Sequence, residues 1–219
     1  MGGLRSKSTF LFLTVFLLFV IFSAARIGVA EKFSGRARYA MHTWSTGKAQ
    51  ADPSSEATVS RELDLARLFA PDNPDNIEDQ ARLALIRASL PGLSESERNT
   101  LLAQGIKQIH EAIALRPVSS YSWATLLMLK RERAEYDAEF RLALERAVTL
   151  GPWEPEVQLI VADVGSSAWT ALPRAEQDML QKNFVRGLKR QAKEILAIAQ
   201  SHQDDCNSTR ARLNAGCSR

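Results

Sequence analysis

The strongest constraint on this chain is a segment that punctuates itself. Leu115-Arg116-Pro117 recurs as Leu150-Gly151-Pro152, 35 residues later, and between the two prolines lie two apolar-periodic stretches, Ser120 to Arg133 and Tyr136 to Leu150. Proline stops a helix, so the segment reads as a helix pair with a stop at each exit. The spacing sharpens the reading. In tetratricopeptide-type repeats the second helix carries a small residue, a large apolar one four later, a small one three further on and proline five beyond. Gly105, Ile109, Ala112 and Pro117 fill all four positions; Leu144, Ala147 and Pro152 fill three, with Phe140 in place of the small residue. Upstream, Leu63, Ala66 and Pro71 follow the same rule after an imperfect Val59, and the proline intervals of 46 and 35 residues give the middle unit an insertion. On the first helix of the best unit Trp123, Leu126 and Leu127 take the large apolar positions, while Lys130 stands where an aromatic is more usual.

Further helices follow from local signals. Ile77 to Leu90 carries one apolar face and ends at Pro91-Gly92, after which Ser94 and Glu97 form a capping box that specifies the next helix start. Pro155 opens a segment with Val157, Leu159, Ile160, Val161 and Val164 nearly continuous, the pattern of a well-buried helix. Leu172-Pro173 precedes a stripe of Leu180, Phe184, Leu188, Ile195 and Ala199, expected as one long terminal helix that closes the open end of the repeats.

The N-terminus is of a different kind. Phe10 to Phe22 is apolar except for Thr14, and the 18 residues between Lys7 and Arg26 are uncharged. That length suits either a short membrane span or a signal peptide, with Ser23-Ala24-Ala25 or Gly28-Val29-Ala30 as possible cut sites. A retained anchor over residues 9–25 is the preferred expectation. Arg5 and Lys7 favour a cytoplasmic N-terminus, whereas Arg26, Lys32, Arg36 and Arg38 pull the other way. The short basic start before a strong apolar run places the remainder in the periplasm, held at a bacterial inner membrane. The expected organisation is therefore an anchor at 1–30, a linker at 31–59, a helical-repeat domain at 60–201 and a polar tail at 202–219. The fold class is all-α: an N-terminal transmembrane helix, a short tetratricopeptide-like solenoid and a long C-terminal capping helix.

Charge limits the partners. The pI is near 9.0, yet the net charge is only +3 and residues 62–173 carry −6, so the repeats offer no basic surface for nucleic acid. Cys206 and Cys217 sit in the polar tail, where an extracytoplasmic setting allows a disulfide and a cytosolic one leaves two thiols. Asn207-Ser208-Thr209 matches a glycosylation sequon, a pattern common by chance.

Catalytic chemistry is not legible. His42, His110 and His202 share no ligand spacing, and His110-Glu111 lacks the second histidine of a zinc-hydrolase helix. No glycine-rich phosphate loop, nucleophile elbow or strand pattern occurs, and Asp137, Glu139 and Glu145 are spaced as a solvated helix face. No catalytic, cofactor-binding or metal-binding residue is expected, and the chain is read as a non-enzyme. Two surfaces qualify as interaction candidates. Trp123, Trp153 and Trp169 could line a groove for peptide or sugar, although core packing is the ordinary role at these positions. Lys182, Arg186, Lys189 and Lys193, with Arg190, form a basic stripe that could meet anionic lipid, an acidic polymer or an acidic partner, or simply be a solvated face.

At Arg116 to Ala124 (Arg-Pro-Val-Ser-Ser-Tyr-Ser-Trp-Ala), Ala143 to Ala147 (Ala-Leu-Glu-Arg-Ala) and Leu150 to Leu159 (Leu-Gly-Pro-Trp-Glu-Pro-Glu-Val-Gln-Leu) the chain resembles the VpsP-type family of bacterial polysaccharide-biosynthesis proteins. The resemblance covers about residues 101–200 and the anchor-first layout, with Gly151-Pro152-Trp153-Glu154-Pro155 its distinctive run. It implies a small membrane-anchored repeat protein associated with exopolysaccharide production, and brings no catalytic residues. The expected function is a non-enzymatic adaptor that scaffolds polysaccharide biosynthesis or export proteins at the inner membrane. The alternatives are a periplasmic glycan-binding or processing protein, and a repeat subunit of another envelope assembly such as cytochrome maturation.

Overall fold

The computed structural model describes residues 2–202, with side chains from residue 10 onward. Among these residues the chain is helical, without strands. The order is α1 (Gly2–Ser45), α2 (Pro53–Phe69), α3 (Pro74–Ala88), α4 (Glu95–Leu115), α5 (Ser120–Glu132), α6 (Ala138–Leu150), α7 (Pro155–Ser167), a 3₁₀ turn (Trp169–Ala171) and α8 (Arg174–Leu188). A last helix, α9, spans 192–202. Cys206 and Cys217 lie outside the described residues.

The helix starts are set locally. Asp52 caps α2 ahead of Pro53, and the Asn73 side chain accepts from the Asp75 amide at the start of α3. The Ser94–Glu97 capping box is formed as expected: the Glu97 carboxylate accepts from the Ser94 amide at 2.9 Å, while Ser94 Oγ accepts from the Glu97 amide at 3.2 Å. The Ser94 hydroxyl, which donates to the Glu97 carboxylate at 2.6 Å, and after it the Ser94 amide hold the Glu97 carboxyl below its ordinary pKa. Ser119 caps α5 and Asp137 caps α6, each side chain accepting an amide three residues on.

Two compact units divide within α3, residues 1–83 and 84–219. In the first, α2 packs along α1. Phe33 of α1 stacks on Phe69 of α2 with ring centroids 6.3 Å apart, and Arg36 pairs with Glu62 at 3.7 Å. Moving up α1 moves back along α2, so the two helices are antiparallel. This corrects the expected linker at 31–59: α1 is continuous to Ser45, only residues 46–52 are non-helical, and α2 begins at Pro53. The reason is a contact face whose α1 side is mostly small residues. Ala30, Ser34, Ala37 and Met41 recur at helical spacing and are buried, as are Val59, Leu63 and Ala66 of α2. The first proline-terminated helix expected in the repeat domain thus packs with the N-terminal helix.

In the second unit each helix packs on its sequence neighbour from α4 to α8, and α5 also meets α7 while α6 meets α8. Alternate helices in contact are the packing of a helical-repeat array. The residues that fit the repeat spacing are its core: Gly105, Ile109 and Ala112 in α4, and Phe140, Leu144 and Ala147 in α6. Gly165 of α7 completes the approach to α8, where a Cβ would fall 2.3 Å from a Leu180 methyl.

The terminal stripe is two helices rather than one. The chain leaves α8 at Lys189 and restarts at 192, with the Gln191 amide donating to the Gly187 carbonyl at 2.8 Å. Gly187 allows the fold-back, since a Cβ there would sit 2.8 Å from Ile195 Cδ1. Side chains from α8 and the turn then hold α7. Asn183 donates to the Gln158 carbonyl, Arg190 to the Trp153 carbonyl, and Gln191 to both Pro155 O and Gln158 Oε1. Hydrophobic periodicity of Leu188 and Ile195 spans the break without registering it.

Candidate functional site

The α6–α8 contact leaves a groove of about 320 Å³ on the surface of the second unit. Arg141, Leu142 and Glu145 line it from α6, with Ala175, Glu176 and Met179 from α8. Leu142 is an exposed apolar residue there, and Met179 supplies an adaptable wall. Charge of both signs surrounds this apolar strip, a composition suited to a short peptide segment and not to a polyanion. Sequence reasoning missed the groove because its residues lie on the outward positions of two helices separated in sequence by a third.

The three candidate tryptophans, of four in the chain, do not form one surface. Trp123 Nε1 donates to Pro117 O at 2.8 Å and is tied to the start of its own helix. Trp169 lies in the 3₁₀ turn, half-buried, its carbonyl accepting from Gln177. Trp153 is 59% exposed on the α6–α7 loop. Among the described residues the close aromatic pairs are Phe33–Phe69 and Tyr136–Phe140, neither of which includes a tryptophan.

The basic stripe divides as well. Lys182, Lys189 and Lys193 are exposed, with Lys193 on α9 beyond the break. Arg186 is half-buried, and its Nε and Nη2 are withdrawn from solvent without a hydrogen-bond partner among the described residues.

The strongest electrostatic feature lies where the repeat pattern had a misfit. Lys130, 3% exposed at the end of α5, reaches Asp137 at 2.8 Å, Glu139 at 2.9 Å and Glu135 at 3.3 Å. Glu139 also pairs with His110 of α4 at 2.8 Å. Burial alone would lower the Lys130 pKa, but the hydrogen bonds it donates to Asp137 and Glu139 outweigh that and raise it well above the ordinary lysine value. Desolvation would likewise raise Asp137 and Glu139, yet the Lys130 bond leaves both below the ordinary carboxylate range. Asp137 does two jobs, capping α6 through Oδ1 and holding Lys130 through Oδ2. An ammonium so firmly held is a structural pin across three helices, since a lysine that keeps its proton is no base. The signal was present in the sequence as Lys130 at an aromatic position and acids at 135, 137 and 139.

A second ionic link joins Arg131 of α5 to Asp163 of α7, whose other carboxylate oxygen lies 3.0 Å from His202 of α9. These pairs orient neighbouring helices and leave no nucleophile beside a base. Among the described residues no cluster of His, Cys, Asp and Glu could hold a metal ion. No family model, curated protein or solved structure matches the chain.

Proposed function

We propose that the chain is a single-pass, membrane-anchored helical-repeat adaptor that scaffolds bacterial polysaccharide biosynthesis or export proteins, with its helical units on the periplasmic side of the inner membrane. The observation that carries the adaptor reading is the alternate-helix packing of α5 on α7 and α6 on α8, which leaves an open peptide-sized groove. Repeat arrays use such surfaces to hold partner segments. The anchor rests on α1, whose side chains from Phe10 to Phe22 are exposed all round and whose apolar window has a mean hydropathy of 2.5. The polysaccharide pathway rests on the VpsP-type resemblance at Gly151 to Pro155.

Crosslinking in intact cells, followed by solubilisation and capture through a C-terminal tag, tests the reading. The full chain should enrich a polymerase, chain-length regulator or glycosyltransferase over an α1-only control, and Leu142→Arg with Met179→Arg should abolish that enrichment. Recovery of the chain alone, together with binding of purified polymer, would replace the adaptor by a glycan-binding reading. A C-terminal alkaline phosphatase fusion that is inactive would reverse the orientation.

A further inference from the structure

The first unit has an exposed apolar edge besides the apolar run of α1. If α1 crosses a bilayer as proposed, the place where its burial begins fixes the height of the unit. Residues 10–29 of α1 are exposed apart from half-buried Ser23, and Ala30 is the first buried position, only four residues past Arg26. At 1.5 Å per residue that is roughly 6 Å, while the polar interface of a bilayer is about 5–7 Å deep on each side. No spacer separates span from packing.

The antiparallel run of α2 decides which end of the unit faces the lipid. Phe69 stacks on Phe33, so the turn over residues 70–73 continues from α2 towards the membrane end of α1. From there α3 climbs back, because Asp79 meets Arg38 at 2.8 Å, five residues further up α1 than Phe33. At this lower edge Leu68 is 71% exposed, Pro71 is exposed, and Ile27 of α1 is 59% exposed. Elsewhere on α2 the larger apolar side chains are sheltered: Val59 and Leu63 are buried and Leu65 and Phe69 are half-buried. An exposed leucine at the one end that meets the apolar run of α1 is the pattern of an interfacial contact. Asp72, exposed at the tip, keeps the turn at headgroup depth and out of the hydrocarbon.

We propose that the α2–α3 turn is an interfacial foot, with Leu68 and Pro71 seated at the headgroup–acyl boundary of the leaflet from which α1 emerges. The first unit therefore stands on the bilayer at two points, α1 and the turn. The occupant is lipid, and the proposal rests on the spanning reading of α1.

The test uses the full chain in phosphatidylethanolamine/phosphatidylglycerol vesicles, with Cys206→Ser and Cys217→Ser and one reporter cysteine at a time carrying an environment-sensitive fluorophore. Phe16→Cys reports the span, Leu68→Cys the foot, and Arg61→Cys a point on α2 eight residues, or about 12 Å, above Phe69. All three positions are exposed, so labelling leaves the packing intact. Mid-chain nitroxide lipids should quench position 16. Headgroup and shallow-chain nitroxides should quench position 68 at least about twofold more than position 61, because their depths differ by more than the thickness of the interface. Equal quenching at 68 and 61 with strong quenching at 16 would overturn the foot and leave the span standing. Absence of quenching at 16 would overturn the span and the foot together.

Discussion

Each unit holds a buried charged side chain in an ion pair, Asp79 beside buried Glu78 in the first and Lys130 in the second, and the two resolve the balance in opposite ways. In the first, Asp79 of α3 has Arg38 as its close counter-charge, at 2.8 Å, and burial wins: its pKa is pushed up to about 6 despite the guanidinium. In the second, Lys130 is met by three carboxylates, and pairing wins, holding the ammonium charged. Whether a buried group stays ionised is set by the balance of its desolvation against the opposite charges and hydrogen bonds around it. Lys130 therefore pins its unit at every ordinary pH, whereas Asp79 makes its unit sensitive to mild acid.

The largest effect should come from Lys130→Met. Removing one member of a fully buried pair costs about 3–5 kcal/mol, but the carboxylates here remain a third or more exposed and can rehydrate, so a loss of about 2–3 kcal/mol is expected. Urea unfolding followed by tryptophan fluorescence in a Trp44→Phe background reads it, because the other three tryptophans, Trp123, Trp153 and Trp169, lie in the second unit. A loss below about 1 kcal/mol would mean that the node is an ordinary surface ion network.

Acid should then separate the two units by sign. Asp79 holds its proton in the folded state up to about pH 6, whereas the unfolded chain releases it near 3.8, so the folded state binds the extra proton between those values. Stability of the first unit accordingly falls as pH rises through that window, by on the order of 2–3 kcal/mol, and is flat above it. Asp137 and Glu139 behave in reverse: their folded pKa values are depressed, so their contribution is complete above the ordinary carboxylate range and lost as pH falls below it. Hydrogen exchange of α3 amides against α5 and α6 amides, after correction for intrinsic rates, should show opposite slopes, and Asp79→Asn should flatten the first alone. Parallel slopes would remove the distinction between the two buried charges.

The same contrast explains what could be read from the sequence. The second unit was legible because its core uses large residues and proline stops. Ile109, Phe140 and Leu144 mark the faces, and Pro117, Pro152 and Pro155 mark the boundaries, so α5 and α6 fall within two residues of expectation. The first unit was opaque because its contact face on α1 is Ala30, Ser34, Ala37 and Met41, a helical stripe in which only Met41 is a large apolar side chain. Function was less legible than fold. The groove between α6 and α8 is built from positions that a single helix spends on solvent, and tertiary proximity is invisible to periodicity. Lys130 was visible as a misfit, but its meaning required three acids supplied by the following turn and helix.

A smaller effect belongs to the break after α8. Adding a methyl at Gly187 meets Ile195 Cδ1 at 2.8 Å, and Ile195 is buried, so Gly187→Ala should cost about 1–2 kcal/mol by overpacking. If α8 and α9 instead ran on as one helix, the same change would stabilise by about 1 kcal/mol, since alanine is the better helix former. Thermal unfolding distinguishes the two by sign.

The smallest effect refines the account of the node itself. Glu135, Asp137 and Glu139 are delivered to Lys130 by the α5–α6 turn, and that turn passes through Ala134 at φ +54°. The Ala134 amide donates to Arg131 O and the Glu135 amide to Lys130 O, so the left-handed residue closes α5 and aims the acidic segment back at the lysine. Alanine pays a steric penalty in this region that glycine does not, against which glycine loses more chain entropy on folding. The first term is about 1–2 kcal/mol and the second about 0.5–1, so Ala134→Gly should stabilise by roughly 0.5 kcal/mol. The Lys130→Met background then isolates the role of the turn. If the turn is shaped by its own backbone, the gain persists there; if the lysine holds it in place, glycine loosens it without benefit. A double-mutant cycle in urea decides whether the pin positions the turn or the turn positions the pin.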